Sequence, residues 1–145
     1  MRLTNYTDYS LRVLIYLALK KDLELCTIKE VAETYQISKN HLMKITHELG
    51  KLGYIETIRG RHGGIRLAKD PEEINIGEVV SKTEEDFHIV DCFNKANKYC
   101  VITPSCKLKH ILNEALLAFV NVLKEYTLED LIQNKDDLYQ LLDSK

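Results

Sequence analysis

The sequence contains no long hydrophobic run. Its longest apolar stretch, from Leu11 to Leu19, is interrupted by Arg12 and reaches about half the length of a membrane-spanning helix. The opening residues, MRLTNYTDYS, lack the pattern of a signal peptide. Four cysteines without an export signal are typical of reduced thiols inside a cell. We therefore expect a soluble, cytoplasmic protein with no membrane partner.

Enzyme and zinc-module motifs are absent as well. No glutamate or histidine stands at the spacing of a metalloprotease or deaminase site. The glycine-rich stretch from Gly60 to Gly64 lacks the Gly-Lys-Ser/Thr ending of a nucleotide-phosphate loop. Three cysteines lie close together, but without the C-x2-C pair that is usual in zinc ribbons and zinc fingers. We therefore expect a protein that is not an enzyme.

The net charge of −2 conceals a strong asymmetry. Residues 1–69 contain 12 Lys and Arg against 7 Asp and Glu, a charge of +5. Residues 70–145 contain 8 against 15, a charge of −7. A basic first half on an otherwise acidic chain is typical of a protein that binds a polyanion with one face.

Two short helices in the basic half predict a helix-turn-helix. Thr27-Ile-Lys-Glu30 has the form of a capping box and begins the first of them. Ser38 is expected to cap the second, from Lys39 to Leu49, which Gly50 and Gly53 would end. The second helix begins with polar and basic residues, as a DNA-reading helix does. A generic helical hairpin is the alternative interpretation.

A β-hairpin is predicted directly after these helices. Its strands run from Tyr54 to Ile58 and from Ile65 to Ala68, and the turn between them is basic and glycine-rich. A hairpin that follows a helix-turn-helix makes a winged helix, so we predict DNA binding, with the wing on phosphates or in the minor groove. Bases are expected nearest Ser38, Asn40 and His41, and the remaining contacts from Lys39, Lys44, Arg59, Gly60, Arg61 and Gly63.

The segment from Asp91 to His110 is polar, carries four lysines and contains three cysteines at C-x7-C-x5-C spacing: Cys92, Cys100 and Cys106. Three thiols on a polar loop suit a soft metal or an iron–sulfur cluster, because both prefer thiolate ligands. Thr103 and Pro104 are expected to start a helix, which places Cys106 in a first turn where the dipole favours a thiolate. A disulfide between the first two cysteines is also compatible with the spacing, as are three unconnected buried cysteines.

The most periodic segment runs from Pro104 to Tyr126, where apolar residues recur at three- and four-residue steps. A helix over these 23 residues would be about 34 Å long. Such a helix outside a small winged-helix core is typical of a dimer seam, because DNA operators are commonly two-fold symmetric. The residues expected between the subunits are Leu112, Leu116, Phe119 and Leu123. Short helices from Thr127 onward are expected to cover this seam.

The predicted fold is mainly α-helical with a small β-hairpin wing. It divides into a winged helix-turn-helix region (1–70), a connecting segment with the cysteine loop (71–103) and a dimerisation helix with C-terminal helices (104–145). A further helix, from Asp8 to Lys20, lies in the DNA-binding region, where Arg12 is one turn from Asp8 and can pair with it. The isolated Cys26 is interpreted as a small buried apolar residue.

Four stretches are distinctive in combination. They are the opening from Met1 to Arg12, the segment Ile37-Ser-Lys-Asn-His-Leu-Met-Lys44, the wing Arg59-Gly-x-x-Gly-Gly-Ile-Arg-Leu-Ala68 and the three-cysteine loop. Together they resemble the NsrR/IscR family of iron–sulfur transcription repressors over nearly the whole chain. The opening, Asn40 to Lys44 and Leu112-Asn-Glu-Ala-Leu116 are most similar to the branch of that family that senses nitric oxide.

The resemblance implies a homodimer that binds a palindromic operator in double-stranded DNA and carries one cluster in each subunit. The implied ligands are Cys92, Cys100 and Cys106, with Asp8 of the other subunit as a replaceable carboxylate. Three cysteines and one exchangeable ligand favour a 4Fe-4S cluster over 2Fe-2S. Nitric oxide would damage the cluster, release the operator and derepress nitrosative-stress genes.

Two positions depart from the family pattern. The first cysteine gap has seven residues where many members have five. The branch that regulates cluster assembly has a histidine three residues after its last cysteine, where this chain has Lys109 followed by His110. His110 is therefore the alternative fourth ligand, and an IscR-like regulator of cluster assembly is the alternative function. A small iron–sulfur electron carrier and a zinc-dependent enzyme also compete with the leading interpretation, and a gel shift and visible absorbance would separate them from it.

Overall fold

Six α-helices and one β-hairpin form the part of the chain that the structure, a computed structural model, describes: residues 1–96 and 100–144. The helices are α1 (Asn5–Leu19), α2 (Ile28–Tyr35), α3 (Lys39–Lys51), α4 (Ile76–Thr83), α5 (Lys107–Lys124) and α6 (Lys135–Asp143). The antiparallel strands are β1 (Ile55–Ile58) and β2 (Gly64–Leu67), each within one residue of its predicted ends. The predicted fold class is confirmed. Within these ranges, none of the helices combines the length and the apolar character that a membrane crossing requires.

Helix α1 lies in the middle of the hydrophobic core. It begins three residues before the predicted Asp8, because the Thr4 hydroxyl caps it by accepting the N–H of Thr7 at 3.3 Å. Val13 and Leu14 of this helix are completely buried. The helix packs against α3, α4 and β2, so the DNA-binding region and the second half of the chain share one core.

Helices α2 and α3 form the predicted helix-turn-helix. Thr27 caps α2 in a capping box with Glu30, whose N–H donates to the Thr27 hydroxyl at 3.1 Å. The turn is tight because Gln36 has a left-handed backbone conformation, with φ of 54°. The next residue, Ile37, is buried in the core and fixes the direction in which α3 starts.

Helix α3 differs from its prediction at both ends. Ser38 occupies the N-cap position, but its side chain makes no capping hydrogen bond. The helix also continues past Gly50 to Lys51, two residues beyond its predicted end. A helical glycine costs only about 1 kcal/mol relative to alanine, and the complete burial of Leu49 one residue earlier holds this turn in place.

The hairpin is fixed to the segment that joins α1 to α2. Glu56 lies opposite Arg66 in the ladder and forms an ion pair with it. Cys26 pairs with Ile65 through two backbone hydrogen bonds, of 3.1 and 2.8 Å. At Gly64, a Cβ atom would lie 2.6 Å from the Cys26 carbonyl oxygen. Only glycine therefore allows this approach of the wing to the helical body.

The second half of the chain requires two corrections. The long helix α5 has 18 residues rather than the predicted 23. It starts three residues later, because Thr103–Ser105 forms a separate 3-10 turn and Cys106 becomes the N-cap, and it ends two residues earlier, at Lys124. The C-terminal residues up to Ser144 leave the outer face of α5 exposed, at Leu108, Ile111 and Val122. Leu128 and Ile132 are instead fully buried, and the short turn that contains Ile132 packs against α1.

The C-terminal end of α5 is fixed to the start of α4. The Asn75 side-chain amide donates to the Lys124 carbonyl at 2.7 Å, and the Ile76 N–H donates to the Tyr126 carbonyl at 3.0 Å. Between them, a Cβ atom on Gly77 would lie 2.4 Å from Lys124 Cγ and 2.7 Å from its backbone nitrogen. The two helices therefore meet at a position where only glycine fits.

We expect Gly77→Ala to destabilise the protein. The added methyl group must displace the α5 backbone, at a cost of about 1–3 kcal/mol, which exceeds the gain in helix propensity of at most about 1 kcal/mol. Gly50→Ala is the matched control, because its Cβ would meet nothing closer than 3.9 Å, and it should stabilise α3. Urea unfolding at one protein concentration measures both. A Gly77→Ala variant as stable as Gly50→Ala would contradict the close packing.

Candidate DNA interface and cysteine site

The outer face of α3 is available to DNA. Four of its residues are buried in the core: Leu42, Ile45, Thr46 and Leu49. At 100° per residue, the opposite face carries Asn40, Lys44 and His47, which are all exposed. The remaining predicted contacts on this helix, Ser38, Lys39 and His41, are exposed around its first turn. The helix thus presents a polar and basic surface beside the wing.

One exposed side chain on this surface is absent from the predicted contacts. Met43 is 50% exposed and lies one turn after Asn40. A large apolar side chain on a DNA-facing helix can contact the methyl groups of thymines. Its spacing of three residues from Asn40 and four from His47 is the sequence signal that could have identified it.

The wing tip carries the two arginines predicted to contact DNA. Arg59 and Arg61 are exposed, and neither forms an ion pair within the described residues. The turn requires glycine, because Gly60 has φ of 113° and a Cβ on Gly63 would lie 2.0 Å from the Ile58 carbonyl oxygen. This tight turn leaves both guanidinium groups accessible to phosphates.

Two of the three loop cysteines face one pocket. Cys92 is half-buried in a short 3-10 turn, Asp91–Phe93, whereas Cys100 is exposed. The pocket has a volume of about 410 Å³ and is lined by Cys92, Asn94, Lys95, Cys100, Val101, Thr103, Pro104 and Lys109. All four cysteines of the chain are free thiols, so the alternative of a Cys92–Cys100 disulfide is not observed.

Cys106 lies beside this pocket and caps α5. Its sulfur accepts the backbone N–H of Lys109 at 3.4 Å, and Lys109 also lines the pocket. Cys106 was predicted in the first turn of the helix, but it lies one residue before it, because the 3-10 turn ends at Ser105 and α5 begins at Lys107. At the N-cap, a thiolate would accept a helix N–H that has no partner within the helix.

Asp8 and His110 are the two predicted candidates for a fourth ligand. Asp8 forms an ion pair with Arg12, as predicted, with 2.9 Å between Oδ2 and Nη2. The Arg12 guanidinium also lies 5.9 Å from the ring centres of Tyr9 and Tyr35. His110 is exposed on α5. Within residues 1–96 and 100–144, no three His, Cys, Asp or Glu side chains are gathered so as to hold a metal ion, and the ligand set stays a prediction.

The sequence model of one protein family matches residues 3–134 of this chain. That family is Rrf2, described as iron-dependent transcriptional regulators. The chain belongs to the Rrf2 family.

Individual Rrf2 relatives agree with this assignment. The HTH-type transcriptional regulator NsrR of Bacillus subtilis (strain 168) is 66% identical over 145 residues, covering 100% of this chain and 99% of that protein. NsrR of Bacillus licheniformis is 62% identical over 142 residues, covering 98% and 99%. The solved structure of T. potens IscR superposes with a TM-score of 0.73 at 21% identity, covering 92% of this chain and 88% of that one. The resemblance stated from the sequence is confirmed, and the chain is a DNA-binding transcription regulator and not an enzyme.

The long helix of this Rrf2 protein is apolar on two adjacent faces. Three of the predicted dimer residues, Leu112, Leu116 and Leu123, are half-buried, and Leu123 packs against the core. The fourth, Phe119, is 37% exposed and belongs to the outer face. That face also carries Leu108, Ile111 and Val122, each more than half exposed. The sequence periodicity did not separate the two faces, because both consist of apolar residues at helical spacing.

Cys26 has a structural role, as predicted. It is 1% exposed, and burial, followed by the nearby Glu30 carboxylate, raises the pKa of its thiol to about 12. Its contribution as an anchor of the wing was not predicted. The two hydrogen bonds to Ile65 are made by the backbone, so they do not depend on which amino acid stands at this position.

We expect Cys26 to resist alkylation in the folded protein. At pH 8 its thiol should stay protonated and shielded, so iodoacetamide should label the loop cysteines of reduced, metal-free protein but reach Cys26 only after denaturation. Because the folded-state pKa is raised, the neutral thiol stabilises the fold below pH about 9, and this contribution is lost as the pH rises toward 12. Peptide mass spectrometry gives the labelling rates. Equal rates at Cys26 and Cys100 would contradict the burial.

We expect replacement of Arg59 and Arg61 by Ala to weaken DNA binding. If both guanidinium groups contact phosphates, the slope of log affinity against log salt should become less steep by up to about 2. Lys135→Ala, on α6 and paired with Glu129, is the control and should leave the slope unchanged. Fluorescence anisotropy across a salt series provides the measurement. An unaltered affinity and slope in the double variant would refute the wing assignment.

Proposed function

We propose that this chain is a homodimeric transcription repressor that senses nitric oxide through an iron–sulfur cluster. Cys92, Cys100 and Cys106 would hold the cluster, and Asp8 of the other subunit would complete the ligand set. The dimer would bind a palindromic operator until nitric oxide reaches the cluster. Release of the operator would then derepress genes for resistance to nitrosative stress.

The observation that carries this proposal is the arrangement of the loop thiols around Lys109. Lys109 lines the pocket that Cys92 and Cys100 also line, and its backbone N–H donates to Cys106 Sγ at 3.4 Å. One residue therefore adjoins all three sulfur-bearing positions. Three free thiols in this setting match the preference of iron–sulfur clusters for thiolates.

The electrostatic surroundings also favour bound thiolates. Lys95 and Lys109 line the pocket, and the first N–H groups of α5 point toward Cys106. These positive charges lower the cost of holding three negative sulfur atoms close together. A thiolate-bound cluster supplies a centre that reacts with nitric oxide, and its loss would leave the loop without its ligand.

A carboxylate suits the fourth position because it is the easiest ligand to displace. Asp8 is 42% exposed and already has Arg12 as an alternative partner in its own helix. An oxygen ligand that can return to an arginine leaves iron more readily than a sulfur ligand does. Three cysteines and one such ligand favour a 4Fe-4S cluster over a 2Fe-2S cluster.

The helices offer a path from the loop to the DNA surface. Cys106 caps α5, whose far end is joined to α4 at Gly77. Helix α4 packs on α1, and α1 packs on the DNA-facing helix α3. A displacement at the cysteine loop would therefore reach α3 through three helix contacts.

The test is visible absorbance of anaerobically purified variants. Replacement of any one of Cys92, Cys100 or Cys106 by Ala should bleach the protein and abolish tight operator binding, because a thiolate ligand is lost. Cys26→Ala is the matched control and should keep both properties. Asp8→Ala should retain a less stable cluster with an altered response to nitric oxide, since water or a small thiol can replace one oxygen ligand.

Mössbauer spectra of the wild type identify the cluster. A pure 2Fe-2S signature that depends on His110 would contradict the proposed ligand set and favour a regulator of cluster assembly. If the Asp8→Ala variant had an unchanged spectrum, stability and nitric oxide response, Asp8 would not be a cluster ligand, and its role would be the ion pair with Arg12. Colourless wild-type protein that still binds the operator tightly would overturn the sensor proposal itself.

A further inference from the structure

The base of the wing contains a tyrosine that joins α3 to both strands. Tyr54 directly precedes β1 and is 2% exposed. Its N–H donates to the Leu49 carbonyl of α3 at 3.0 Å, and its carbonyl accepts the N–H of Ala68, which directly follows β2, at 3.0 Å. The position of Tyr54 therefore affects the direction of both strands of the wing.

A lysine of α4 holds the Tyr54 hydroxyl. Lys82 Nζ donates to this oxygen at 3.2 Å. The hydrogen bond raises the pKa of Lys82, so its side chain is protonated at neutral pH and can only donate. Glu78, one turn earlier in α4, lies 3.7 Å from the same Nζ atom. Within residues 1–96 and 100–144, no other side-chain hydrogen bond joins α4 to Tyr54 or to the hairpin.

The backbone that carries Lys82 is fixed in the core. Val79 and Val80 of α4 are buried, and the Thr83 hydroxyl donates to the Val79 carbonyl at 2.8 Å. Helix α4 meets α5 at Gly77, five residues before Lys82. Lys82 thus reaches the wing from a helix that packs against both α1 and α5.

The hairpin has other attachments that keep it folded. Cys26 and Ile65 are paired through two backbone hydrogen bonds, and Ile65 and Leu67 are buried in the core. These contacts hold β2, whereas Lys82 holds the residue that precedes β1. Loss of the Lys82 hydrogen bond would therefore leave the hairpin folded but change its direction.

The wing is long enough to amplify a small movement at its base. Arg59 is five residues from Tyr54, which is roughly 16 Å along an extended strand. A rotation of about 5° at the base would therefore displace the tip by roughly 1.4 Å. Charged hydrogen bonds to phosphates have lengths of about 2.7–2.9 Å, and a displacement of that size would weaken them.

We propose that Lys82 is a positioning residue for the wing: its hydrogen bond to Tyr54 couples the position of α4 to the position of Arg59 and Arg61 on DNA. This inference rests on the contact between the wing and DNA that is expected above. It also gives α5 a connection to the wing through α4 that does not pass through α1.

A direct contact between Lys82 and a DNA phosphate is the alternative role, because Lys82 is exposed. The two roles differ in their dependence on Tyr54. Tyr54→Phe removes the hydroxyl and leaves the Lys82 charge in place. A phosphate contact would survive this change, whereas a positioning role would not.

The test compares Lys82→Met and Tyr54→Phe by fluorescence anisotropy, on a duplex that the wild-type protein selects from random-sequence DNA. Both changes remove the same hydrogen bond, so each should weaken binding about three- to tenfold, and the double variant should be no weaker than either one. Lys82→Arg can still donate to the phenol and should recover most of the loss. Lys135→Met, the same change as Lys82→Met but on α6, is the matched control and should bind as the wild type does.

A second comparison shows whether the effect acts through the wing. In a variant with both Arg59→Ala and Arg61→Ala, the wing has no guanidinium groups to position. Lys82→Met and Tyr54→Phe should then cause no further loss of affinity, whereas a general weakening of the fold would. Urea unfolding verifies that every variant is folded at the assay temperature. The same anaerobic preparations are used throughout, and their visible absorbance tests the sensor proposal separately.

The outcomes separate the positioning role from the contact between wing and DNA. If replacement of both arginines weakens binding but Lys82→Met binds as the wild type does, Lys82 does not position the wing and the wing contact stands. If Lys82→Met weakens binding equally with and without the arginines while Tyr54→Phe has no effect, Lys82 contacts DNA itself. If replacement of both arginines has no effect, the wing contact is wrong and the positioning role is lost with it.

Discussion

Burial of α1 is the constraint on which the other contacts depend. Each large side chain that it buries is worth about 1.5–3 kcal/mol, and Val13, Leu14 and Leu17 are all buried in the core. The same helix contacts α3, β2, α4 and the turn near Ile132, so the predicted DNA-reading helix, the wing, the connecting region and the tail all pack against α1. The second half of the chain therefore stabilises the DNA-binding half directly, and the two halves cannot move independently of this helix.

Local signals in the sequence predicted the DNA-binding half closely. The Thr27 capping box, the polar start of α3 and the glycines of the wing each act within a few residues, and each appears where it was expected. Two errors arose where a partner distant in sequence decides the structure. The start of α1 depends on Thr4, whose hydroxyl and N–H are held by Glu84, 80 residues away. The tail packs on α1, where Leu128 and Ile132 are buried. Periodicity alone does not indicate which surface a short apolar segment will contact.

The sequence predicts thiolate chemistry for the cysteine loop, which stays a prediction, but it gives no information on how the loop is arranged. Residue type alone indicates thiolate ligands, and the spacing excludes the common zinc modules. The position of each sulfur is set by backbone geometry that residue type does not encode. Cys106 is an example, because serine, threonine, aspartate and asparagine are the usual N-cap residues and a sulfur cap is easily overlooked. The two faces of α5 could not be separated in the sequence for a related reason: apolar residues on two adjacent faces of one helix look like a single broad stripe until their burial is known.

The sulfur cap of α5 also has a mechanical consequence. A helix that loses its cap frays from that end, and one turn of helix is about 5.4 Å long. In the proposed function, the Cys106 sulfur that would bind iron is also the acceptor for the Lys109 N–H. A change in the ligation of this sulfur would therefore also change the length of α5. The opposite end of α5 is fixed to α4, and such shortening can occur only at the cysteine end, next to Leu108. Loss of the cluster would therefore be transmitted from the loop as a shortening of α5 at its first turn, and not as a change in electrostatic potential.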